Sequence, residues 1–399
     1  MIEPFLSAIP VLKRLVDAGF EAYFVGGSVR DYLLNKQIND VDIATSATPE
    51  EVKEIFSKTI DIGIEHGTVL VLANHKSYEI TTFRTEGEYQ DFRRPKEVSF
   101  IRNLIEDLKR RDFTMNAMAM DLHGTLIDPF NGQIAIKKRV IETVGSAKER
   151  FQEDGLRMMR AIRFVSQLSF SIDTETLKAL ANLVPLLTNI AVERKRAEFE
   201  KMLVGENCNS AMKILLETNL FSFLPGLAKK EKLIEKLLNL EYFGLNKREM
   251  WSLLLYCLNL KEKSIEEFLR NWRLPIKEIK DIQHILFFVR KRLEQEWSAY
   301  DLYTAGSDII TSTEKIYNVI KSVNGMESTR RWLDLYQKLP IRQRSEVTVT
   351  GVDLMEWFNQ QGGPWLKETL LKIEQAIVEE RIKNDKQLIK EWLMTCSQK

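Results

Sequence analysis

Two aspartates in the segment DVDIA, residues 40–44, are separated by a single valine. The segment predicts a β-strand, and residues i and i+2 of a strand point to the same face. Asp40 and Asp42 would then project side by side, with Val41 packed behind them. Two carboxylates held that close repel each other unless a positive charge lies between them. A divalent cation such as Mg²⁺ is the natural occupant, whereas an isolated pair of this kind would indicate a turn or an exposed strand edge.

A glycine pair lies upstream of these aspartates, between a predicted strand over 21–25 and a predicted helix over 28–34. Gly26 and Gly27 would let the backbone approach a phosphate closely, and the start of the helix adds N–H donors. Together with the two carboxylates, this segment predicts a metal–triphosphate site in which Gly27 contacts phosphate.

Two arginines are candidates for holding the triphosphate. Arg30 lies one turn beyond the glycines and could direct its guanidinium fork at two phosphate oxygens. The alternative for Arg30 is a salt bridge to Asp31 or Asp107. Arg111 is a candidate contact for triphosphate or ribose, and the alternative is that Arg110 and Arg111 form a solvated face.

A third carboxylate is available on a predicted hairpin, whose strands cover 67–73 and 77–83. Glu79 lies on the second strand and could sit beside the aspartates as a catalytic helper, or it could be an ordinary exposed strand residue. The chemistry expected of such a cluster uses two Mg²⁺ ions roughly 3.5–4 Å apart, which activate a hydroxyl and neutralise the leaving pyrophosphate.

A different pair, Asp154 and Arg157, could read a nucleotide base. On one helix these residues are i and i+3 and share a face. The aspartate only accepts hydrogen bonds and the arginine only donates, which matches cytosine and adenine and mismatches uracil and guanine. Two buried mismatches of about 1–3 kcal/mol each give roughly a hundredfold discrimination. The alternative is an ordinary i,i+3 ion pair on a helix surface.

Four stretches together resemble the class II tRNA nucleotidyltransferases, the CCA-adding enzymes of the polymerase-β-like superfamily. They read GGSVRDYLL…DVDIAT, LKRRDFTMNAMA, LIDPFNG and EDGLRMMRAIRF. The resemblance is close over residues 20–165. It continues more weakly through AVERKRAEFEKML, residues 191–203, and includes the tail segment VTGVDLMEW…GGPWLKETL, which is similar to the bacterial form of the family.

The resemblance implies an activity and further site residues. Enzymes of this family build or repair the 3′-terminal CCA of tRNA from CTP and ATP without a nucleic-acid template, and they release pyrophosphate. The base-reading pair would serve as the template held by the protein. Arg160 and Arg163 would also contact nucleotide, Glu153 could hold the arginines in place, and the polar loop 84–96 would help to switch specificity from C to A.

Other activities stay open at this point. An enzyme that adds only the terminal A would keep the loop, and a bacterial poly(A) polymerase shares the motifs near the N-terminus. A rival of another class is an inactive RNA-binding protein on the same fold, against which the intact carboxylate pair argues.

The partner implied is tRNA, and basic clusters late in the chain are candidate phosphate contacts. They comprise Arg290–Arg292, Arg330–Arg331 and Arg342 with Arg344, with Trp297 and Trp332 nearby. Phosphate contacts give affinity with little sequence information. Taken alone, each cluster favours the interpretation of a solvated helix face over a phosphate contact.

The elements that must position these residues form an α/β head of the polymerase-β-like nucleotidyltransferase type, followed by an all-α neck, body and tail. Across 399 residues we expect several domains. The expected divisions are a catalytic head over 1–146, a neck with the base-selecting helix over 147–205, a body over 206–290, and a tRNA-binding tail over 291–399. The neck is expected to contain one continuous helix over 153–168, and loop 84–96 to be mobile.

Composition limits the class of protein. The net charge of +1 argues against a strongly basic nucleic-acid binder, although residues 137–163 hold eight Lys or Arg against four acids. Three widely spaced cysteines indicate neither a zinc site nor a disulfide framework, which fits a reducing cytoplasm. No signal peptide or membrane span is expected. The oligomeric state is left open, a homodimer included.

Overall fold

The computed structural model describes residues 1–87, 89–90, 94–95, 98–242, 244–323 and 325–396. The chain divides into two compact units. The first contains Met1–Glu231 and Asn271–Arg273, and the second contains Lys232–Arg270 and the chain from Leu274 onward. The four-domain division expected from the sequence stays a prediction.

The first unit is built on a mixed sheet that has seven strands within the described residues. They are β1 (Ala22–Val25), β2 (Asp42–Thr45), β3 (Thr59–Gly63), β4 (Thr68–Ala73), β5 (Lys76–Thr82), β10 (Ala119–Met120) and β11 (Leu126–Ile127). Their order in the sheet is β11-β10-β1-β2-β5-β4-β3. Strands β2 and β5 run parallel, and the other neighbouring pairs are antiparallel.

Short ladders accompany the sheet. They pair β6 (Arg84–Glu86) with β9 (Val98–Phe100), β7 (Tyr89–Gln90) with β8 (Arg94–Pro95), and β12 (Val140–Ile141) with β13 (Ser171–Ile172). The expectation of an irregular loop over 84–96 is therefore wrong for 84–86, 89–90 and 94–95, because backbone pairing into hairpins satisfies their N–H and C=O groups. Residues 88, 91–93 and 96 lie outside the described residues.

The helices of the first unit surround the sheet and then continue as a helical segment. They are α1 (Phe5–Asp17), α2 (Gly27–Leu33), α3 (Pro49–Ile55), α4 (Leu104–Lys109), α5 (Gly132–Lys138), α6 (Ala147–Glu153), α7 (Leu156–Leu168), α8 (Thr174–Leu183), α9 (Val192–Leu203) and α10 (Cys208–Glu217). Short 3₁₀ helices occupy Ile64–His66, Thr114–Asn116, Val184–Asn189 and Leu220–Phe223.

Local sequence explains several boundaries. Helix α3 begins with a capping box, in which the Thr48 hydroxyl accepts from the Glu51 N–H and the Glu51 carboxylate accepts from the Thr48 N–H. The β4–β5 hairpin turns through Asn74 and His75, which adopt φ of 50° and 60° as tight hairpin turns require. The predicted hairpin is thus confirmed.

The second unit is helical wherever the structure describes it, apart from its connecting segments. Its helices are α11 (Glu231–Leu238, whose first residue belongs to the first unit), α12 (Lys247–Cys257), α13 (Glu262–Asn271, whose last residue does too), α14 (Ile276–Glu294), α15 (Ala299–Lys321), α16 (Met326–Gln337), α17 (Gly351–Phe358), α18 (Pro364–Val378) and α19 (Lys386–Cys396), with a 3₁₀ turn at Arg344–Glu346. The predicted order of an α/β head before an all-α remainder is confirmed.

Buried side chains in the second unit correct part of the expected tRNA surface. Arg292 has a side chain only 10% exposed and forms a 2.7 Å ion pair with the fully buried Glu314. Trp297 and Trp332 belong to the core around Phe288. These three side chains therefore pack inside the second unit. Arg292 is not the exposed phosphate contact that was expected, and the two tryptophans, expected only to lie near the basic clusters, are core residues.

In the described chain, no helix is both long enough and apolar enough to cross a membrane.

Candidate functional site

The carboxylates predicted to hold metal lie at the edge of β2. Strand β2 begins at Asp42, and Asp40 precedes it, so the expected strand over 40–44 starts two residues later than expected. Both aspartates are exposed while Val41 is 7% exposed, which is the alternation expected of two side chains on one face. Asp42 is the direct cross-strand neighbour of Glu79 on the parallel strand β5.

The three carboxylates influence one another electrostatically. Desolvation by the surrounding protein raises the pKa of Asp42, and the charges of Glu79 and Asp40 raise it further, whereas Arg111 opposes them. A cation placed among these oxygens would relieve that repulsion. In the part of the chain that the structure describes, no group of three or more Asp, Glu, His or Cys side chains is already gathered as a metal cluster. The chemistry of the donors, all hard oxygens, nevertheless fits a divalent cation.

The glycine turn lies directly beside this carboxylate. Gly26 has φ of 72° and ψ of −135°, a combination that side-chain-bearing residues avoid. A Cβ added at Gly26 would lie 3.1 Å from Nη1 of Arg111 and 3.8 Å from Oδ2 of Asp42. Glycine is therefore required both for the backbone conformation and for the approach of Arg111.

Arg30 is held by several partners at once. It forms the salt bridge to Asp31 at 2.8 Å that was the alternative to a binding role. Its Nη1 also donates to Oδ1 of Asn116 at 2.7 Å, and its guanidinium lies 5.1 Å from the ring centre of Phe164. These contacts fix the guanidinium at the wall of a pocket, so the structural contact and a binding role are compatible.

Arg110 and Arg111 are anchored by one buried acid. Asp107, whose side chain is 1% exposed, pairs with Arg110 at 2.8 Å and with Arg111 at 3.2 Å. Burial alone would raise the pKa of Asp107, but the two arginines and their hydrogen bonds lower it below its ordinary value. The alternative of a solvated arginine face is wrong, because less than a fifth of either arginine side chain is exposed.

These residues open onto one pocket of about 820 Å³ within the first unit. Among the described residues that line it, nine carry a cationic side chain and three carry a carboxylate. The cations are Arg30, Arg84, Arg110, Arg111, Arg157, Arg160, Arg163, Arg194 and Lys201, and the acids are Asp42, Asp112 and Asp154. Such an excess of positive charge suits a polyanionic ligand.

The base-reading pair does not lie on one continuous helix. Helix α6 ends at Glu153, Asp154 is extended with φ of −140° and ψ of 105°, and α7 begins at Leu156. The predicted helix over 153–168 is wrong at this point, because the Asp154 carboxylate accepts from the N–H of Leu156 at 2.9 Å and so stabilises a local turn between the two helices. Both Asp154 and Arg157 still line the pocket.

Arg157 is fixed by backbone and side-chain acceptors. It donates to the carbonyls of Arg150 at 3.0 Å and Arg110 at 3.1 Å. It also pairs with Glu153, which in turn pairs with Arg150 at 2.8 Å. The expectation that Glu153 holds the arginines in place is confirmed for Arg157, whereas Arg160 and Arg163 pair with other acids.

Arg160 connects α7 to the segment that follows Arg111. Its guanidinium contacts Oδ2 of Asp112 through Nε at 2.7 Å and Nη2 at 2.6 Å. Burial would raise the pKa of Asp112, but the charge of Arg160 and hydrogen bonds from Asn116 and Arg160 lower it to about 2. Asp112 is therefore an anion at neutral pH, and it orients Arg160.

Arg163 is paired with an acid from another helix. Glu198 on α9 lies 3.0 Å from its guanidinium, and both side chains are less than a tenth exposed. The guanidinium also lies 4.3 Å from the ring centre of Phe164. Burial lowers the pKa of Arg163 to about 10, which leaves it cationic at neutral pH.

The pocket gathers eight of the ten residues that the sequence singled out, and Asp40 and Glu79 are outside its lining. Four residues that position the site have roles that the sequence did not predict. Asn116, Glu198 and Arg194 were given none, and Asp107 was considered only as a partner of Arg30, whereas it pairs with Arg110 and Arg111. Arg194 lies 2.6 Å from Asp154. Two of the four, Arg194 and Glu198, belong to the segment 191–203 that had been noticed only for its resemblance. They are four apart on one helix, a spacing that could have predicted a shared face.

Three family models match the chain. The poly A polymerase head domain covers residues 22–142, an RNA- and SrmB-binding site of polymerase A covers 169–231, and domain 2 of tRNA nucleotidyltransferase covers 245–393.

Proteins of known name align along nearly the whole chain. A CCA-adding enzyme of Bacillus cereus strain AH187 is 48% identical over 397 residues, which are 99% of this chain and 100% of that enzyme. A CCA-adding enzyme of Bacillus anthracis aligns with the same identity and coverage. The crystal structure of the Bacillus stearothermophilus CCA-adding enzyme in complex with CTP superposes with a TM-score of 0.91 at 42% identity, covering 100% of this chain and 98% of that one.

Proposed function

The chain belongs to the CCA-adding enzymes, and from this premise we propose that it adds or repairs the 3′-terminal CCA of tRNA with CTP and ATP. The 3′-hydroxyl oxygen of the tRNA attacks the α-phosphorus of the nucleotide. One O–P bond forms, the bond between the α-phosphorus and the bridging oxygen breaks, pyrophosphate leaves, and the hydroxyl proton is released. The next nucleotide then reacts with the new 3′-hydroxyl.

Asp40 and Asp42 would bind Mg²⁺ through their carboxylate oxygens, with Glu79 as a helper beside them. When bound, the metal would supply charge that favours ionisation of the attacking hydroxyl and departure of pyrophosphate. Desolvation and the charges of Glu79 and Asp40 raise the pKa of Asp42, and a cation at this position would stabilise its ionised form. The family itself indicates a divalent metal, and the choice of Mg²⁺ rests on the hard oxygen donors and the phosphate substrate.

The triphosphate would lie between the glycine turn and the anchored arginines. Gly27 allows close backbone approach, while Arg30 and Arg111 present guanidinium groups whose positions are set by Asn116 and Asp107. Anchored cations lose little conformational freedom when a phosphate binds, so more of the interaction free energy contributes to affinity.

Base selection would fall to Asp154 and Arg157, supported by Arg160 and Arg163. The Asp154 carboxylate offers acceptors to the exocyclic amino group of cytosine or adenine, and Arg157 offers donors to the adjacent ring nitrogen. Uracil and guanine present the opposite order and would leave buried groups unpaired. The ion pairs to Asp112 and Glu198 hold the supporting arginines against the pocket wall.

The observation that carries this proposal is that one pocket contains both Asp42 and Asp154. A pocket that held only Asp42 could catalyse nucleotidyl transfer with any nucleotide. Because the same pocket also holds Asp154, whose carboxylate would accept a hydrogen bond from the base, it can favour C and A over U and G.

The proposal extends to the rest of the chain. We place tRNA contacts on the helical tail over 291–399, the base-selecting segment in the neck over 147–205, and the enzyme in the cytoplasm. The buried cysteines Cys208 and Cys257 fit that compartment.

Incubation of a tRNA lacking CCA with each labelled nucleotide in the presence of Mg²⁺ tests the activity. Addition of C, C and A supports it. Addition of A alone would indicate an A-adding enzyme, and a long ladder of A would indicate a poly(A) polymerase, although the full-length relatives named above favour neither. Absence of incorporation with every nucleotide would leave the inactive RNA-binding protein.

A further inference from the structure

The catalytic carboxylate belongs to a row of directly opposed side chains, which continues from it across three further strands to the edge of the sheet. Asp42 on β2 is opposite Glu79 on β5, Glu79 is opposite Leu70 on β4, and Leu70 is opposite Ile60 on β3. Directly opposed residues of neighbouring strands point to the same face of a sheet. The row therefore changes from acidic to apolar on the face that carries the carboxylates.

On β3, β4 and β5, the opposite face of the sheet is the one that packs against the protein. Val69 and Val71 of β4 are fully buried, and α3 packs on β4 and β5 from that side. Lys53 of α3 reaches Asp61 of β3 at 2.8 Å, which places the Asp61 side chain on the covered face too. The residues alternating with these, Leu70 and Ile60 among them, must lie on the uncovered face.

Apolar side chains on that uncovered face remain largely in solvent. Ile60 is 47% exposed and Leu72 is 41% exposed. Ile62, which is 49% exposed, lies next to them on the edge strand at the bulge that interrupts the β3–β4 pairing. With Leu70 they form what we name the apolar strip. It lies on β3 and β4, and β3 is the edge strand of the sheet. Edge strands usually carry charged residues that prevent unwanted association, so a cluster of exposed isoleucine and leucine at an edge indicates a contact surface.

The position of the strip relative to Asp42 restricts what it can contact. Strands are spaced by about 4.8 Å, so Leu70 is roughly 10 Å and Ile60 roughly 14 Å from Asp42 along the row. The pocket that would hold the nucleotide includes Asp42 but neither Glu79 nor any residue of the strip. The strip and the pocket are therefore different surfaces, and Asp42 belongs both to the pocket and to the row that leads to the strip.

We propose that the apolar strip binds the last nucleotides of the tRNA 3′ end, immediately upstream of the attacking hydroxyl. This inference rests on the proposed function. In-line attack places the incoming nucleotide and the primer on different sides of the reacting phosphorus, and the strip lies outside the nucleotide pocket on the face that carries Asp42. Unstacked nucleotides expose apolar base and ribose faces.

Apolar contact also suits a primer whose end changes during the reaction. The enzyme must accept a terminus that ends in the unextended tRNA, then in C, then in CC. Hydrogen-bonding groups would distinguish among these ends, whereas isoleucine and leucine contact any base face without reading its edge. The strip thus holds the primer without adding a second base selection.

The test compares a double variant of the strip with a matched control. Ile60→Thr/Ile62→Thr keeps β-branched residues in the strand and removes apolar contact. Leu6→Thr/Ile134→Thr changes two residues of the same unit that are 48% and 51% exposed elsewhere. Kinetics are measured with CTP on a tRNA lacking CCA and on a minihelix of its acceptor stem and T arm.

The strip variant should raise KM for both RNAs roughly tenfold, because half-exposed isoleucines lose their contact area, and should leave KM for CTP within about twofold. The control should change neither constant. Equal melting temperatures and CTP binding for both variants establish that folding is intact.

An unchanged KM for RNA in a folded strip variant overturns the inference. A second result would also overturn it. If the parent protein is a dimer by gel filtration and the strip variant is a monomer with an unchanged KM for RNA, the strip joins two copies of the chain. Failure of the parent protein to add C, C and A is a different outcome, because it contradicts the proposed function itself.

Discussion

Arg194 donates to both carboxylate oxygens of Asp154, at 2.6 Å to Oδ2 and 3.4 Å to Oδ1. Since the Leu156 N–H also donates to Oδ1, three of the roughly four lone-pair positions of this carboxylate are occupied. The remaining acceptor position lies on Oδ2. A base that binds here must therefore offer a donor at one defined place.

Replacing Arg194 should loosen base selection more than it weakens catalysis. In Arg194→Gln the Asp154 carboxylate loses its charged partner and can rotate, so discrimination against UTP and GTP should fall by roughly tenfold. The ratio of kcat/KM for CTP to that for UTP measures the effect. Arg196→Gln serves as the control, because Arg196 lies on the same helix and donates to the carbonyl of Arg273 instead. Equal ratios in both variants would show that Arg194 has no part in selection.

Replacing Asp42 should increase the stability of the metal-free protein and decrease its activity. The pKa of Asp42 is raised in the folded protein, so the folded state binds the proton more tightly than the unfolded state does. Stability then decreases as pH rises from the ordinary value of 3.8 through the higher folded value. At pH 7 and without divalent metal, Asp42→Asn should melt at a higher temperature than the parent protein.

The same substitution should reduce CTP incorporation at least about 100-fold, because an amide holds a divalent cation poorly. Addition of Mg²⁺ should raise the melting temperature of the parent protein and have little effect on the variant. Binding of tRNA, measured by filter retention, should persist. A variant that melts lower than the parent without metal would contradict the assigned electrostatics.

Replacing Asp112 should destabilise the fold at neutral pH. Its pKa is lowered to about 2 from 3.8, so its contribution is fully present above the ordinary value and is lost as pH falls toward the folded value. That difference corresponds to about 2 kcal/mol for Asp112→Asn at pH 7. Urea unfolding from pH 7 downward should show the gap between variant and parent narrowing below pH 4.

Asp61→Asn provides the comparison for Asp112, since Asp61 forms an exposed pair with Lys53. Exposed pairs contribute about 0–1 kcal/mol. If the two substitutions had the same effect on the free energy of unfolding, the buried pair of Asp112 with Arg160 would not be a source of stability.

Adding a single methyl group at Gly26 should impair nucleotide binding. Gly26→Ala has two costs, a backbone conformation that disfavours side chains by about 1–3 kcal/mol and a Cβ 3.1 Å from Arg111. Gly145→Ala shares the positive φ, at 71°, but its Cβ would have nothing within 4 Å. Both variants should lose stability, and only Gly26→Ala should raise KM for CTP. A parallel rise in the two variants would assign the effect to the backbone alone.

Sequence reasoning reached the parts of the site that depend on local pattern. The spacing of Asp40 and Asp42, the glycine turn, and the β4–β5 hairpin follow from strand alternation and turn preferences, and the structure has each of them. The break at Asp154 was missed because residues 153–168 have the apolar period of a helix, and only a local side-chain hydrogen bond interrupts it.

Local sequence patterns could not predict which acidic residues pair with the arginines of the pocket. Arg160 pairs with Asp112, which is 48 residues away in the sequence, and Arg163 pairs with Glu198, which is 35 residues away. Hydrophobic periodicity cannot predict such long-range ion pairs. The two short hairpins after Arg84 were also missed, since polar composition predicted an irregular loop while backbone pairing decided the outcome.

The concentration of cations in one concavity affects how RNA would meet this protein. The whole chain has a net charge of only +1, whereas nine cations and three carboxylates around the pocket give it a local charge of +6. A polyanion is therefore attracted at the mouth of the site by a local excess of positive charge that the net charge of the chain does not show. Productive collisions are then selected by long-range steering, whose range shrinks to about 10 Å at 0.1 M ionic strength.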